Sequence, residues 1–378
     1  MTTDRPLRLS VLIDDLAIGG AQVLLPGFAA GAREAGIELS VAYLHDRTYA
    51  ASALREQGVE PELIPVSGLI SRSDHRRMRD YLARLGPDLV HTHIGAADVI
   101  GGLAARSLGI PAVSTLHSAH WSGLSPSSWA RLRIQVAARR RCHARIITVS
   151  ESVREEYLSR GWNRPERTVT VHNGIIDRSA GVDGLAIRHE LGLASDETVV
   201  TMVGALARNK GQAVVAAAAR ELAGRFPRMR VLIVGDGPLR AQLEAEIAGY
   251  GDHTTMIGHR DDVPSVLAAT DILVHPTHVD ALPTVLIEAM AAAVPIIATA
   301  IGGVPEMIRD GESGVLIGPP PGPEGLARAL EPLLERPDLR RRLGDAGRRR
   351  FEERFTIEHW LERLLPVYAE AMSPNAEH

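Results

Sequence analysis

Short apolar runs alternate with helical patterns along most of this chain of 378 residues. The runs are nearly continuous, which is typical of strands that are buried on both faces of a parallel sheet covered by helices. A first series of predicted strands comprises Leu9–Ile13, Leu39–Leu44, Leu63–Val66, Leu89–His93, Ala112–Leu116, Ile146–Val149 and Val169–Val171. A second series comprises Val199–Val203, Val231–Val234, Thr255–Ile257, Ile272–Val274, Ile296–Ala298 and Val315–Ile317. The pattern therefore predicts an α/β protein with two doubly wound parallel sheets.

The two series are separated by residues 173–198, which are rich in Gly, Asp and Ala and predict a linker with a short helix. A chain of this length also exceeds what one hydrophobic core normally covers. We therefore predict a first domain over residues 1–174 and a second over residues 175–354. In the remaining segment, residues 355–378, apolar positions at helical spacing between Phe355 and Met372 predict an amphipathic helix.

The composition of the chain excludes several classes of protein. The formal net charge is −4 and the isoelectric point is near 6.4, so the chain lacks the positive field that nucleic acid binding requires. Cys142 is the single cysteine, which excludes an intramolecular disulfide and a cysteine-based zinc site. The N-terminal stretch Met1–Arg8 lacks the pattern of a signal peptide, and no run of 18 apolar residues occurs. These features predict a cytoplasmic protein without a transmembrane segment.

Lys210 is the only lysine among the 42 Lys and Arg residues. Lysine presents a compact point charge, whereas arginine presents a planar fork of donors. A phosphate site could therefore explain why a single lysine occurs in a chain that otherwise uses arginine. The alternative is drift in an arginine-rich composition. Lys210 follows the first predicted strand of the second series, and ligands of open α/β sheets bind outside the carboxyl ends of strands. This position favours the phosphate hypothesis.

The strand ends of the first series also carry polar residues and glycine. Asp14 and Asp15 end the first strand, and Gly19 and Gly20 then open a helix where the backbone could approach a ligand closely. Later strands of the series end in His91 and His93, in His117 and in His172.

A metal site is one interpretation of His91 and His93, which share a face of their strand. No third ligand is evident at a matching spacing, so we favour hydrogen-bonded polar groups. The chain also has no Asp-x-Asp pair that could hold a nucleotide-bound divalent ion, which leaves magnesium held by one carboxylate as the alternative.

In the second series, the strand Val231–Val234 leads into a tight turn with Gly235 and Gly237, followed by Pro238, which predicts a helix from that residue. A dinucleotide-binding fingerprint would need a third glycine at position 240, where Arg240 stands. A two-domain nicotinamide enzyme is therefore disfavoured.

Further along, Asp280 lies in the loop after a strand, and Glu288 lies eight residues later on a helix that Pro283 opens. The free amides at Thr284 and Val285 suit a phosphate group. A solvated helix carboxylate is the alternative interpretation of Glu288, but its sequence neighbours are apolar, and an unpaired carboxylate among them is costly. We therefore predict that Asp280 and Glu288 border a ligand.

Eight short motifs in order resemble those of the family 4 (GT4) retaining glycosyltransferases, which have the GT-B fold. The motifs are Gly19-Gly20-Ala21-Gln22, Thr115-Leu116-His117, Val149-Ser150-Glu151, His172-Asn173-Gly174-Ile175, Gly204 with Lys210-Gly211, Gly235-Asp236-Gly237-Pro238, Asp280 with Glu288, and Gly302-Gly303-Val304-Pro305-Glu306. They extend over nearly the whole chain.

The resemblance implies two Rossmann-like domains that face each other across a cleft, with the C-terminal helix crossing back to the first domain. The second domain would bind a nucleotide diphosphate sugar, a UDP- or GDP-sugar, as donor. The first would bind a small-molecule, glycan or lipid-linked acceptor. The reaction would retain the anomeric configuration and would need no metal and no cofactor.

The resemblance also implies roles for individual residues. His117, Lys210 and Asp280 would form the catalytic set, in which His117 lines the sugar site, Lys210 binds the diphosphate, and Asp280 contacts the sugar hydroxyls in place of the family's usual Glu. Glu288 would hold the ribose hydroxyls. Arg208 could replace the family's arginine at the position of Ala205. The other donor-binding positions implied are Gly19, Gly20, Gly235, Thr284, Val285, Gly303 and Glu306.

Other activities stay open at this point. A nucleotide-sugar epimerase could share the fold, and a glycoside phosphorylase would need a cofactor lysine, for which only Lys210 is available. A sugar-nucleotide-binding protein without turnover is a further alternative because Ala205 replaces a phosphate cation. The basic stretch from Arg131 to Arg145 could contact an anionic membrane or acceptor, but we favour a solvated helix face.

Overall fold

A computed structural model describes residues 5–118, 121, 125–248 and 253–373. The first four residues of the polar N-terminal stretch and the last five of the chain lie outside the described residues. The chain divides into two compact units, Met1–Ile175 together with Ile357–His378, and Ile176–Thr356.

The described part of the first unit forms a seven-stranded parallel sheet with strand order β3-β2-β1-β4-β5-β6-β7. Its strands are β1 (Leu7–Ile13), β2 (Ile37–Tyr43), β3 (Glu62–Leu63), β4 (Leu89–His93), β5 (Ala112–Leu116), β6 (Arg145–Thr148) and β7 (Thr168–Thr170). Its helices are α1 (Gly20–Glu34), α2 (Ala51–Glu56), α3 (Arg72–Leu85), α4 (Gly95–Ser107), α5 (Pro126–Cys142) and α6 (Glu151–Ser159), followed by a 3-10 turn (Pro165–Arg167). The strand order reverses between β1 and β4, so the crevice of this sheet opens where those two strands end.

The last helix of the chain completes the first unit. This helix, α15 (Ile357–Ala371), packs on α1, where Phe28 and Trp360 have ring centroids 5.3 Å apart. Gly31 allows the close approach, because a Cβ there would lie 2.6 Å from the Ile357 side chain. The predicted amphipathic helix is confirmed.

The described part of the second unit forms a six-stranded parallel sheet with strand order β10-β9-β8-β11-β12-β13. Its strands are β8 (Thr198–Val203), β9 (Met229–Val234), β10 (Thr254–Gly258), β11 (Ile272–His275), β12 (Ile296–Thr299) and β13 (Val315–Ile317). Its helices are α7 (Gly184–Glu190), α8 (Gln212–Leu222), α9 (Arg240–Ile247), α10 (Val263–Ala268), α11 (Thr284–Ala291), α12 (Val304–Met307), α13 (Pro323–Glu335) and α14 (Pro337–Arg354). The order reverses between β8 and β11. The prediction of two doubly wound parallel sheets is confirmed.

Local predictions differ in places. The strand predicted to start at Leu63 is only two residues long, at the edge of the sheet, where Pro65 lacks an N–H group. The helix predicted from Pro238 begins instead at Arg240, because residues 238 and 239 form a turn. None of the described helices has the length and apolar character needed to cross a membrane.

Candidate functional site

The carboxyl ends of β8 and β11 bring together two residues that the sequence places 70 positions apart. Lys210 lies in the loop after β8 and Asp280 in the loop after β11, and Lys210 Nζ donates to Asp280 Oδ2 over 2.7 Å. The side chains are 25% and 16% exposed, respectively. A partly exposed lysine therefore lies at the point where the strand order reverses, which is where ligands bind in sheets of this kind.

His275, the last residue of β11, belongs to the same cluster. Its Nε2 donates to Asp280 Oδ2 over 3.3 Å. Burial works to raise the pKa of Asp280, but the hydrogen bond from His275 and the charge of Lys210 outweigh it and lower that pKa to about 2. Asp280 is therefore a carboxylate at neutral pH. His275 had no predicted role, although its position at a strand end was a usable signal.

Two glycines let the backbone pack closely around this cluster. Gly211, with φ of +87°, is the N-cap residue before α8, and a Cβ there would lie 2.0 Å from the carbonyl oxygen of Pro276. Gly302, with φ of +51°, would place a Cβ 1.8 Å from the carbonyl oxygen of Asp280. A side chain at either position would displace the loop that carries Asp280.

Hydrogen bonds also join the two loops directly. The carbonyl oxygen of Asn209 accepts from the hydroxyl of Thr277 at 2.9 Å and from the backbone N–H of His278 at 2.8 Å. Gln212 Nε2 donates to the carbonyl oxygen of Ala205 at 2.8 Å. Arg208 on the same loop is exposed and forms no ion pair with any described residue. These hydrogen bonds fix the position of the loop after β8, while Arg208 on that loop extends into solvent.

The N-terminus of α11 follows Asp280. Thr284 and Val285 are its first two residues, whose N–H groups have no partner within the helix. Glu288, one turn further, is half-buried, and burial raises its pKa to about 7 against the opposing charge of Arg178. A ligand that donates hydrogen bonds to this carboxylate would offset the cost of its burial.

The raised pKa of Glu288 predicts a pH-dependent cost to stability. Between pH 4.5 and 7 the Glu288 carboxyl binds more protons in the folded state than in the unfolded state. The contribution of Glu288 to the free energy of unfolding therefore falls as the pH rises. Glu288→Gln is expected to raise the free energy of unfolding by up to about 3 kcal/mol at pH 8 and by under about 1 kcal/mol at pH 5. Urea titrations at both pH values measure this difference.

The control for that comparison is Glu221→Gln, which alters an exposed glutamate on α8. Its free energy of unfolding should match that of the wild type at both pH values. Equal stability of Glu288→Gln and the wild type at pH 8 would contradict the raised pKa.

Three other predicted donor-binding positions already make internal contacts. The N–H of Gly235 donates to the carbonyl oxygen of Gly258 at 2.7 Å, and that of Gly303 donates to Ala281 at 2.8 Å. Glu306 lies on the short helix α12, where its carbonyl oxygen accepts from Arg350 at 2.6 Å. These two glycine amides can bind a ligand only by giving up an existing hydrogen bond.

In the first unit, three histidines lie at the ends of β4 and β5. His93 Nδ1 is hydrogen-bonded to His117 Nε2 at 2.8 Å, and His91 bonds to Tyr368 at 2.7 Å and to Thr115 at 2.7 Å. The prediction that His91 and His93 are hydrogen-bonded polar groups is confirmed. Burial lowers the pKa of His91 to about 3 and that of His117 to about 4. Both rings are therefore neutral at pH 7.

The remaining residues at this edge shape the loop after β1. Gly19 precedes α1 and Gly20 is its first residue, with no side-chain cap. Asp14 accepts from the N–H of Ala97 at 2.8 Å at the start of α4, and burial raises its pKa to about 6. Asp15 accepts from Ala17 and Gln22 at 3.1 Å each. Asp15 thus links residues on both sides of Gly19 and Gly20, whereas Asp14 binds the start of α4.

The basic stretch from Arg131 to Arg145 is not one uniform solvated face. Arg139 is buried and forms an ion pair with Asp98 of α4 at 2.6 Å. Arg145 pairs with Glu370 at 3.3 Å. The prediction of a solvated face was therefore wrong for Arg139, because a buried carboxylate 41 positions away compensates its charge.

Comparison with known proteins finds two family models that match different parts of the chain. The model described as glycosyl transferases group 1 matches residues 185–350, and that of Glycosyltransferase Family 4 matches residues 18–178. The alpha-D-kanosaminyltransferase of Streptomyces kanamyceticus is 29% identical over 318 residues, which cover 80% of this chain and 81% of that protein. The alpha-maltose-1-phosphate synthase of Mycolicibacterium smegmatis is 30% identical over 312 residues, 74% of this chain and 78% of that protein.

Among solved structures, Anabaena HepE in complex with UDP-glucose superposes with a TM-score of 0.84. It is 21% identical and the match covers 96% of this chain and 99% of that one. This likeness extends over both units and shows a shared fold.

Proposed function

We propose, from the premise that this chain belongs to the family 4 (group 1) glycosyltransferases, that it transfers a sugar from a UDP-sugar to an acceptor hydroxyl with retention of configuration and without a metal ion. The family makes the chain a glycosyltransferase, and its fold is GT-B. Membership of the family favours neither an epimerase nor a protein without turnover.

The donor class has support from the solved relative. HepE was crystallised with UDP-glucose, and its fold matches this chain over 96% of the length. A UDP-sugar is therefore the first donor to test. Lys210 also fits such a donor, because a diphosphate offers oxygens to a compact ammonium group.

The observation that carries the proposal is the cluster of Lys210, Asp280 and His275 at the reversal of the strand order. An ammonium group has three protons, and Asp280 accepts one of them, which leaves two for phosphate oxygens. When the bond between the sugar and the diphosphate breaks, negative charge develops on the departing phosphate. A lysine already oriented by Asp280 stabilises that charge without reorganisation. This is the role that makes a metal ion unnecessary in our proposal.

Donor recognition would then extend along α11. The free amides of Thr284 and Val285 suit a phosphate group, and the Glu288 carboxyl suits the two hydroxyls of ribose, which donate to it. Donor binding in this way would favour the ionised form of Glu288 and offset its desolvation.

The acceptor proton needs a destination. With its pKa near 4, His117 is a weak base at neutral pH. We propose that the departing phosphate oxygen takes the proton of the acceptor hydroxyl, as the new bond to the anomeric carbon forms on the face from which the diphosphate leaves. His117 then contributes hydrogen bonds rather than proton abstraction. The acceptor itself, a small molecule, a glycan or a lipid-linked sugar, would bind to the first unit.

Donor preference can be tested by thermal unfolding with UDP-, GDP- and ADP-sugars. A donor present at 100 times its dissociation constant adds about 2.7 kcal/mol of stability, and we expect this for a UDP-sugar only. Equal stabilisation by all three nucleotides would contradict the choice of base.

Turnover tests the reaction. With the stabilising UDP-sugar and a panel of hydroxyl acceptors, we expect release of UDP, an unchanged rate in EDTA, and a product that retains the anomeric configuration by NMR. An epimerase would alter the sugar without sustained release of UDP, and a binding protein would bind the donor without consuming it. Inversion, or loss of activity in EDTA, would refute the corresponding part of the proposal.

A further inference from the structure

One face of α5 lines an open groove of about 640 Å³ on the first unit. The lining positions of the helix recur at spacings of three and four residues from Trp129 to Arg141, so they form a single stripe along its axis. The twelve steps from Trp129 to Arg141 rise about 18 Å along the helix axis. Trp162, beyond α6, also lines the groove. The groove thus follows one helix over most of its length.

The stripe changes character along its length. Trp129, Leu132 and Val136 make its first part largely apolar. Trp162 adds an aromatic surface, with a ring centroid 6.5 Å from that of Trp129 and nearly perpendicular to it. Arg160 lies 5.2 Å from the centroid of the Trp162 ring, a cation–π contact that fixes this ring in place.

The second part of the stripe is cationic. Arg140 and Arg141 end it, and Arg133 lies further up the helix. Unlike Arg139 and Arg145, these three arginines form no ion pair with any residue that the structure describes, and none of the described lining residues is acidic. Their charge is therefore available to an anionic ligand.

We propose that this groove binds a single anionic amphiphile, an alkyl or polyprenyl chain that ends in a phosphate. The chain lies against the two tryptophans and Leu132, and the phosphate binds the guanidinium groups of Arg140 and Arg141, whose planar donors match its oxygens. A single molecule fits better than a membrane surface because the site is concave and has the volume of an ordinary ligand pocket. The site is separate from the residues assigned to the donor.

The test uses decyl phosphate below its micellar concentration, titrated into the full-length protein. Of the four tryptophans, Trp129 and Trp162 line the groove and the buried Trp121 packs on Trp162. Tryptophan fluorescence therefore reports binding, and calorimetry gives the stoichiometry. We expect saturable binding of one molecule per chain. Decyl maltoside and inorganic phosphate should each bind at least about tenfold more weakly. The first lacks the phosphate group, and the second lacks the apolar chain.

Variants locate the site. Ala137 is exposed and lines the groove, so Ala137→Glu places a carboxylate there and should weaken decyl phosphate at least about tenfold, whereas Ala137→Gln, of matched size, should not. Arg140→Gln combined with Arg141→Gln should also weaken binding about tenfold. Arg131→Gln, on the same helix but outside the groove, should leave it unchanged. Circular dichroism checks that each variant folds.

Several results would overturn the proposal. Equal affinity for decyl maltoside would mean apolar adsorption only, and equal affinity for inorganic phosphate would mean a plain anion site. Binding to vesicles of anionic lipid without binding of monomeric decyl phosphate would mean a membrane surface. An Ala137→Glu protein that binds decyl phosphate as the wild type does would place the ligand elsewhere.

Discussion

Lys210→Ala is expected to lower the rate of sugar transfer by about 100- to 1000-fold, the usual effect of removing one preorganised group that stabilises charge in a transition state. Lys210 Nζ lies 2.7 Å from Asp280 and is the cation that the protein holds at the reversal of the second sheet. Single-turnover rates with saturating UDP-sugar measure the loss in the chemical step. Arg208→Ala is the matched control, because this exposed arginine lies on the same loop and should retain most activity.

A double variant separates two roles of Asp280. If Asp280 mainly orients Lys210, then Asp280→Asn in the Lys210→Ala background should cost little more, because the two residues act as a unit. If Asp280 contacts the sugar hydroxyls, the double variant should be slower than either single variant. Near-wild-type transfer by Lys210→Ala, together with a large loss in Arg208→Ala, would assign the phosphate to Arg208 and contradict the role of Lys210.

The second large effect concerns stability. Asp98 is fully buried, and it accepts hydrogen bonds from Thr92, from Ser114 at 2.7 Å, and from Arg139 at 2.9 and 2.6 Å. Asp98→Ala leaves the guanidinium group of Arg139 buried without a counter-charge. We expect a loss of about 3 to 5 kcal/mol in the free energy of unfolding of the first unit, measured by urea denaturation at pH 7.

Controls for Asp98 distinguish burial from charge. Glu60→Ala removes an exposed partner of Arg55 and should leave stability nearly unchanged. Asp98→Ala combined with Arg139→Met removes both charges and should recover much of the loss. Burial opposes ionisation of Asp98, but Arg139 and the other donors lower its pKa, so its contribution is present above about pH 4 and is lost at lower pH. A loss below 1 kcal/mol for Asp98→Ala would refute this account.

Apart from β3, the strand bounds could be predicted to within two residues, since strands buried on both faces form continuous apolar runs that a sequence displays directly. Leu89–His93 and Ala112–Leu116 are examples in which prediction and structure coincide. The edge strand at Glu62–Leu63 was less predictable, since one side lacks a neighbour and its pattern is weaker. Boundaries set by a turn, as at Pro238, depend on backbone angles that no periodicity encodes.

The positions of the candidate site could be predicted because strand ends mark them, but their partners could not. Lys210 and Asp280 each follow a strand, yet their ion pair depends on β8 and β11 being neighbours, which local pattern does not reveal. The burial of Arg139 likewise depends on Asp98 in another helix. The sequence therefore predicts which side chains lie at the strand ends. Which charged side chains pair with one another depends on which strands and helices are neighbours in the fold.

The packing of α15 on α1 has a consequence for synthesis of the protein. The ribosome makes Phe28 and Gly31 early, but Ile357 and Trp360, which cover them, emerge only after the entire second unit has been translated. The nascent first unit therefore exposes an apolar helix face throughout that interval, when chaperones can bind it. Premature termination before Ile357 would leave a nascent chain with a permanently exposed helix face, a substrate for quality-control proteolysis.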